Sequence, residues 1–159
     1  ADCKGQNRAR GLFRKMNNLK IRLIKNKKEL EDVFKIREIV FIKEQNVSKR
    51  IERDKFDNIA KHIIVFYKNK PIGCARIRFI DDKTKLERIA ILKKYRGKGF
   101  GKVIVNYLIK YYKNKNIKEI VMNSQYYLNG YYKKFGFKPI GKSFMEAGIQ
   151  HIKMHLKNK

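Results

Sequence analysis

Apolar residues recur along this chain in two rhythms, and the rhythm assigns the elements. Residues 19–24 alternate apolar and basic side chains, as a half-buried strand does. From Lys28 to about Glu44, Leu30, Val33, Phe34, Ile36, Ile39, Val40 and Phe41 recur at helical spacing and predict one amphipathic helix. Residues 47–57 are polar and irregular, a loop or short broken helix carrying Glu52, Asp54 and Asp57. The run Ile63-Ile64-Val65-Phe66-Tyr67 predicts a buried strand over 62–68. Asn69-Lys70-Pro71 turns the chain into a strand over 72–80, and Asp81-Asp82-Lys83 turns it again into a strand over 86–92. These three strands read as an antiparallel meander. Over 100–114 the periodicity is cleanest, with Phe100, Ile104, Tyr107, Leu108, Tyr111 and Tyr112 on one stripe and Lys102, Asn106, Lys110 and Lys113 opposite. A short apolar strand at 119–123, a short helix over 125–134 and two strands at 138–144 and 148–156 complete the chain.

Chemistry concentrates where the strand ending at Leu92 meets the helix beginning at Phe100. The connection contains Arg96-Gly97-Lys98-Gly99-Phe100-Gly101, followed by Lys102. A helix start leaves backbone amides without partners and carries the positive end of the helix dipole, and glycines let an oxyanion approach the main chain without meeting a Cβ. The junction therefore suits a phosphate or diphosphate, with Arg96, Lys98 and Lys102 adding full charge. A Walker loop is excluded because Gly-x-x-x-x-Gly-Lys-Ser/Thr occurs nowhere, and a dinucleotide fingerprint is excluded because the glycines fall at 97, 99 and 101.

The pattern Arg-x-x-Gly-x-Gly at a strand-to-helix junction resembles the acetyl-CoA site of the GNAT superfamily of N-acetyltransferases. Further along, Tyr131-Tyr132-Lys133-Lys134-Phe135-Gly136-Phe137 resembles that family's Phe-Tyr-Glu-Lys-Leu-Gly-Phe segment. Arg37, Val40-Phe41, Glu44-Gln45, then Glu52, Asp54, Asp57 and His62, and finally Phe144-x-Glu146-x-Gly148-Ile149-x-His151, resemble a bacterial-type branch of small members. The resemblance implies an α+β fold: a central mixed, mostly antiparallel sheet of about seven strands flanked by about four helices, over residues 19–159. Residues 1–18 are then an N-terminal extension or expression remnant, with Met16 beginning Met-Asn-Asn-Leu-Lys just before the first strand.

The resemblance further implies transfer of acetyl from acetyl-CoA to a primary amine. The diphosphate is expected on residues 97–102 with Arg96, Gly97, Lys98, Gly99, Phe100, Gly101 and Lys102, and the pantetheine arm along the backbone of Ile89, Ala90 and Ile91. Gln125 stands where many relatives carry an asparagine against pantetheine, and Asn123 or Asn129 offers the same contact. Tyr132 matches the tyrosine that protonates or orients the departing thiolate. Glu87, a carboxylate beside an apolar run, is the leading candidate to deprotonate the acceptor ammonium. Arg88 should face the opposite side of a regular strand and so leave Glu87 free. His62 and His151 are the other candidate bases. Glu44, Glu52, Asp57, His62, Arg78 and His151 are expected around the acceptor, the acids drawing in an ammonium or Arg76 and Arg78 a phosphate. The run 86–92 with Lys94-Tyr95-Arg96-Gly97-Lys98 is similar to glucosamine-6-phosphate N-acetyltransferases, which makes that amino-sugar phosphate the leading specific acceptor.

Totals adjust this picture only slightly. The 159 residues carry 41 Lys plus Arg against 14 Asp plus Glu, a net charge of +27. That field attracts polyanions, yet no helix-turn-helix, RNP aromatic motif or zinc finger is visible, so no specific nucleic-acid partner is expected. Cys3 and Cys74 are far apart and form neither a disulfide framework nor metal-ligand spacing, which points to a reducing, cytoplasmic setting without a metal. No window approaches the 18 apolar residues that would suggest a membrane span. The family resemblance also admits a homodimer. Protein-lysine or N-terminal acetylation is the alternative activity, and a nucleic-acid module or a catalytically silent CoA-binding scaffold is the alternative of another class.

Overall fold

The computed structural model describes residue 11 and residues 16–158, so most of the expected N-terminal extension lies outside the described residues. Strands β1 (Leu19–Leu23), β2 (Lys61–Tyr67), β3 (Lys70–Ile80), β4 (Lys83–Ile91), β5 (Glu119–Gln125), β6 (Lys138–Glu146) and β7 (Ile149–Lys157) form one sheet in the order β1-β2-β3-β4-β5-β7-β6. Every neighbouring pair is antiparallel except β4 and β5, which run parallel. The helices are α1 (Lys27–Arg37), α2 (Lys49–Glu52), α3 (Phe100–Lys113) and α4 (Asn129–Lys133). This is the expected architecture.

Both faces of the sheet are covered at its centre, whereas the edge strand β6 is exposed along most of its length. Ile63, Ile64 and Val65 of β2 are fully buried, so the continuous apolar run of this strand has no solvent face. Ile63 and Val65 pack into the larger core under α3, where Phe100, Ile104, Val105, Leu108, Ile109 and Tyr112 are buried. Ile64 joins Val33, Ile36, Val40, Cys74 and Ala90 in the smaller core under α1. Tyr107 and Tyr111, expected on the α3 stripe, instead lie half-buried at its edge with stacked rings, and Val105 and Ile109 take the inner positions.

Two local departures from the expected elements occur. The single helix expected to run to Glu44 changes winding after Arg37, and Glu38–Glu44 form a π-helix. Spacings of three and four between Val33, Ile36 and Val40 fit either winding, so the sequence pattern does not distinguish them. The second departure is in β4. Cys74 pairs with Ala90 and Arg76 with Glu87, so Ala75 opposes both Arg88 and Ile89. This β-bulge places Arg88 at φ 53° and interrupts the alternation of side chains along the strand.

Close approach of β3 and β4 depends on Gly73. A Cβ there would meet the Ala90 carbonyl oxygen at 2.8 Å, and that oxygen is backbone and cannot rotate away. Gly73→Ala should lower stability by roughly 1–3 kcal/mol through overpacking, read from a urea midpoint. An unchanged midpoint would mean that the two strands separate freely at this point.

Candidate active site

β4 and β5 pair only from Lys83↔Glu119 to Leu86↔Met122. Beyond these residues the parallel strands part, and a cavity of about 900 Å³ opens between them. Residues 87–91 of β4 form one wall and residues 122–125 of β5 the other. One end reaches the glycine loop at Arg96, Gly97, Gly99, Gly101 and Lys102; the opposite end reaches Val47, Ile51, Glu52, Asp54, Phe56, Arg76 and Arg78. Tyr131 and Tyr132 on α4, and His151 on β7, complete the lining.

The loop end fits a diphosphate for reasons visible in the backbone. Gly97 and Gly99 adopt φ of 71° and 83°, a left-handed region that side-chain-bearing residues disfavour. Gly99 caps α3 with no side-chain bond to the first-turn amides. At Gly101 a Cβ would meet the Tyr131 hydroxyl at 2.9 Å, so a larger residue there would have to push the Tyr131 ring aside. Arg96 donates to the Ile91 carbonyl at 2.8 Å and pairs with Glu44 at 2.9 Å. Glu44 therefore braces the glycine loop and does not reach the acceptor end. Phe100 is a core residue, and Lys98 does not reach the cavity.

Ile89, Ala90 and Ile91 line the cavity, where β5 no longer pairs with β4. An extended chain can add there as a strand. Asn123 and Gln125 lie across from them. Gln125 is engaged already, donating to the Gln45 side chain at 2.7 Å and tying β5 to the segment after the π-helix.

At the acceptor end the expected free carboxylates are bound by guanidiniums. Arg37, fully buried, pairs with Glu52 and, at 2.6 Å, with Asp57. Arg76 pairs with Asp54 at 2.6 Å, with Asp57 at 2.9 Å and with Glu87 at 2.7 Å. Arg78 grips Glu87 with two bonds of 2.8 Å and lies over the Phe56 ring. Burial opposes the charge on Glu87, but hydrogen bonding from Arg78 and the charges of Arg76, Lys85 and Arg78 hold its carboxyl at about 2. Asp57 is likewise held at about 2 against its burial, by Arg37, the Asp54 amide and Arg76. The expectation that Arg88 faces away from Glu87 fails because of the bulge: its guanidinium lies on the same side, against Glu52 and Asp54.

Asp57 and His62 do not line the cavity; both are buried behind it. His62 Nε2 donates to the Asp57 carbonyl at 2.9 Å, and burial pushes its pKa down. His151 is placed differently. Its Nδ1 donates to the Ile149 carbonyl at 2.7 Å, which leaves Nε2 with the lone pair, 3.7 Å from Glu146, and the residue lines the cavity. Tyr132 is almost fully buried, packed edge-on against Tyr131 and Phe137, and burial pushes its hydroxyl pKa up. Sequence reading missed the pairing of Glu87 by Arg76 and Arg78, Asp54 as the link between Arg76 and Arg88, and Tyr131 beneath Gly101. The alternating arginines of β3 were the available signal for the first.

Comparisons with known proteins agree with this geometry. The family described as "Acetyltransferase (GNAT) domain" matches residues 26–158. The uncharacterized N-acetyltransferase YjcF of Bacillus subtilis is 39% identical over 137 residues, covering 86% of this chain and 98% of that protein. Escherichia coli ElaA, at 22% identity, covers 86% of this chain and 98% of its own with a TM-score of 0.77. A GNAT family acetyltransferase from Elizabethkingia anophelis, solved with acetyl-CoA bound, superimposes with a TM-score of 0.69 at 18% identity, covering 88% and 98% of the two chains.

The ion-pair ladder sets two expectations. Arg37→Met strands the buried Glu52 carboxylate and leaves Asp57 to Arg76 and the Asp54 amide, and should cost about 3–5 kcal/mol of stability, read from urea unfolding; a loss below about 1 kcal/mol would show the pairs to be dispensable. Glu87 and Asp57, ordinarily near 4.5 and 3.8, have folded values lowered to about 2. Their stabilisation is therefore complete above pH of about 4.5 and is lost as pH falls toward 2. His62, lowered from 6.5, adds a loss that starts as pH falls through that value. The urea midpoint should fall with acidification across this range, and a midpoint that rises would contradict the pairing.

Proposed function

The chain belongs to the GNAT acetyltransferase family and is an acetyl-CoA-dependent acyltransferase; we propose that it acetylates the primary amine of a small molecule in the cavity between β4 and β5. The observation that carries this reading is the parting of the two strands directly beside the glycine loop, with a protonated phenol and an imidazole in the same cavity.

Bound acetyl-CoA supplies an activated acetyl group. The amides of the α3 start, freed of side-chain caps, hold its diphosphate together with Lys102, and the β4 backbone from Ile89 to Ile91 holds its arm. Each remaining role falls to one side chain. The raised pKa of Tyr132 keeps its hydroxyl protonated at working pH, so as the new N–C bond forms and the C–S bond breaks it can donate to the departing thiolate and be reprotonated by the second proton that the acceptor nitrogen sheds. His151 Nε2 takes the proton from the acceptor ammonium, because the other ring nitrogen is fixed as a donor to Ile149. Glu87 is a poor base: both its oxygens are engaged by guanidiniums, and at about 2 its carboxyl has little affinity for a proton. Its role is to fix Arg76 and Arg78.

Glucosamine 6-phosphate is the specific acceptor we put forward first, on the similarity of residues 86–98.

Acetyl-CoA consumption with a panel of primary amines, run beside a thermal shift with CoA, tests the proposal. The expected result is a CoA-dependent rise in melting temperature and turnover of at least one small amine. Tyr132→Phe should lower kcat by about 10²–10⁴-fold with the CoA shift retained. His151→Gln should lower kcat/KM with the CoA shift retained. Absence of any CoA shift would overturn the cavity assignment, and full activity of Tyr132→Phe would remove the phenol from the chemistry.

A further inference from the structure

Among the arginines that line the cavity, Arg88 is the one whose carboxylate contacts are longest, at 3.4 and 3.5 Å. It occupies the extra position of the β4 bulge at φ 53°, a conformation that costs energy for a residue with a Cβ and that persists where the surroundings enforce it. The bulge turns its side chain to the same side as Glu87, and Arg88 lines the cavity. From α2 and the segment after it, its guanidinium meets the Glu52 carbonyl at 3.1 Å and the Ile51 carbonyl at 3.3 Å. The Glu52 and Asp54 carboxylates stand at 3.5 and 3.4 Å.

Both carboxylates have closer partners than Arg88: Glu52 Oε1 accepts from Arg37, and Asp54 takes a bidentate grip from Arg76 at 2.6 and 2.9 Å, which leaves Arg88 a long 3.4 Å bond to Asp54. Arg76 and Arg78 in turn converge on Glu87. Arg88 therefore holds a fixed position, braced mainly by backbone carbonyls, with its charge incompletely answered and its side chain still 24% exposed. Burial and the neighbouring charges of Arg76 and Arg37 also lower its pKa, in contrast to Arg76 itself, whose pKa is raised. A planar guanidinium held in this way matches a carboxylate or phosphate.

We propose that Arg88 is the anion clamp of the acceptor pocket, so that the acceptor is a small primary amine that also bears an oxyanion, either carboxylate or phosphate. This rests on the amine-acetylating function, and it transfers the anion-binding role expected of Arg76 and Arg78, both bound closely to carboxylates, to the arginine with the longest carboxylate contacts.

Matched acceptor pairs test it. Each pair differs by the anion alone: an amino acid against the amine that lacks its carboxylate, and glucosamine 6-phosphate against glucosamine. The expected result is a kcat/KM preference for the anionic member of at least about tenfold in one pair. A preference in the first pair identifies a carboxylate, and in the second a phosphate. Arg88→Gln should reduce that preference about tenfold, and Arg88→Lys should restore part of it. The CoA thermal shift reports that each variant is folded, and if Arg88→Gln is not, Arg88→Lys decides by its raised KM for the anionic acceptor. Equal turnover within both pairs, or a preference unmoved in the variants, overturns the clamp and leaves amine acetylation standing. Turnover of no amine, despite a CoA shift, overturns both.

Discussion

The buried arginine Arg37 and the carboxylates of Glu52 and Asp57 form the interaction on which the acceptor end depends. Burying a guanidinium is costly unless each of its donors finds an acceptor. That requirement fixes the polar segment after the π-helix against α1. From Asp57 the ladder passes to Arg76 on β3, then to Asp54 and Glu87, and from Glu87 to Arg78. One chain of charges thus connects a helix, a loop segment and two strands. The segment carries few apolar anchors, and exposed Ile51 and Ile59 show that the hydrophobic effect alone does not hold it down.

The cavity has a different origin. A parallel pair needs a long crossover, here supplied by α3, and the start of that helix lies beside the end of β4. Pairing between β4 and β5 stops at Leu86 and Met122, one residue before Glu87 and two before the bulge at Arg88. Parting and bulge work together. The first leaves a strand edge inside the protein, which would be a fault in an ordinary core, and the second turns a charged side chain toward the space created.

Much of the fold was legible because its signals are local. The uninterrupted apolar run at β2, the stripe on α3 and the glycine spacing each express a period or a backbone demand that a few residues carry alone. The acceptor end was less legible because its meaning is relational. Glu44, Glu52, Asp57 and Glu87 read as available carboxylates until the fold sets Arg96, Arg37, Arg76 and Arg78 beside them. Glu87 and Arg88 are adjacent, and strand alternation assigns them opposite faces. A single inserted residue against Ala75 reverses that assignment, and no pattern in β4 announces it.

The overall charge of +27 then has a narrower meaning than its size suggests. At the acceptor end positive and negative groups are interlocked, so the excess resides largely in exposed lysines such as Lys102, Lys110 and Lys113. Such a field raises the local concentration of an anionic ligand such as acetyl-CoA and fades over about 8–10 Å in salt. It acts against a bare ammonium. An acceptor that carries its own anion would cross the same field with its charges offset, and inside the cavity the proposed roles of Arg88 and His151, both of which line it, would separate the anion from the amine. The surface therefore concentrates ligands by charge, and the fixed geometry of a few buried pairs sorts them by structure.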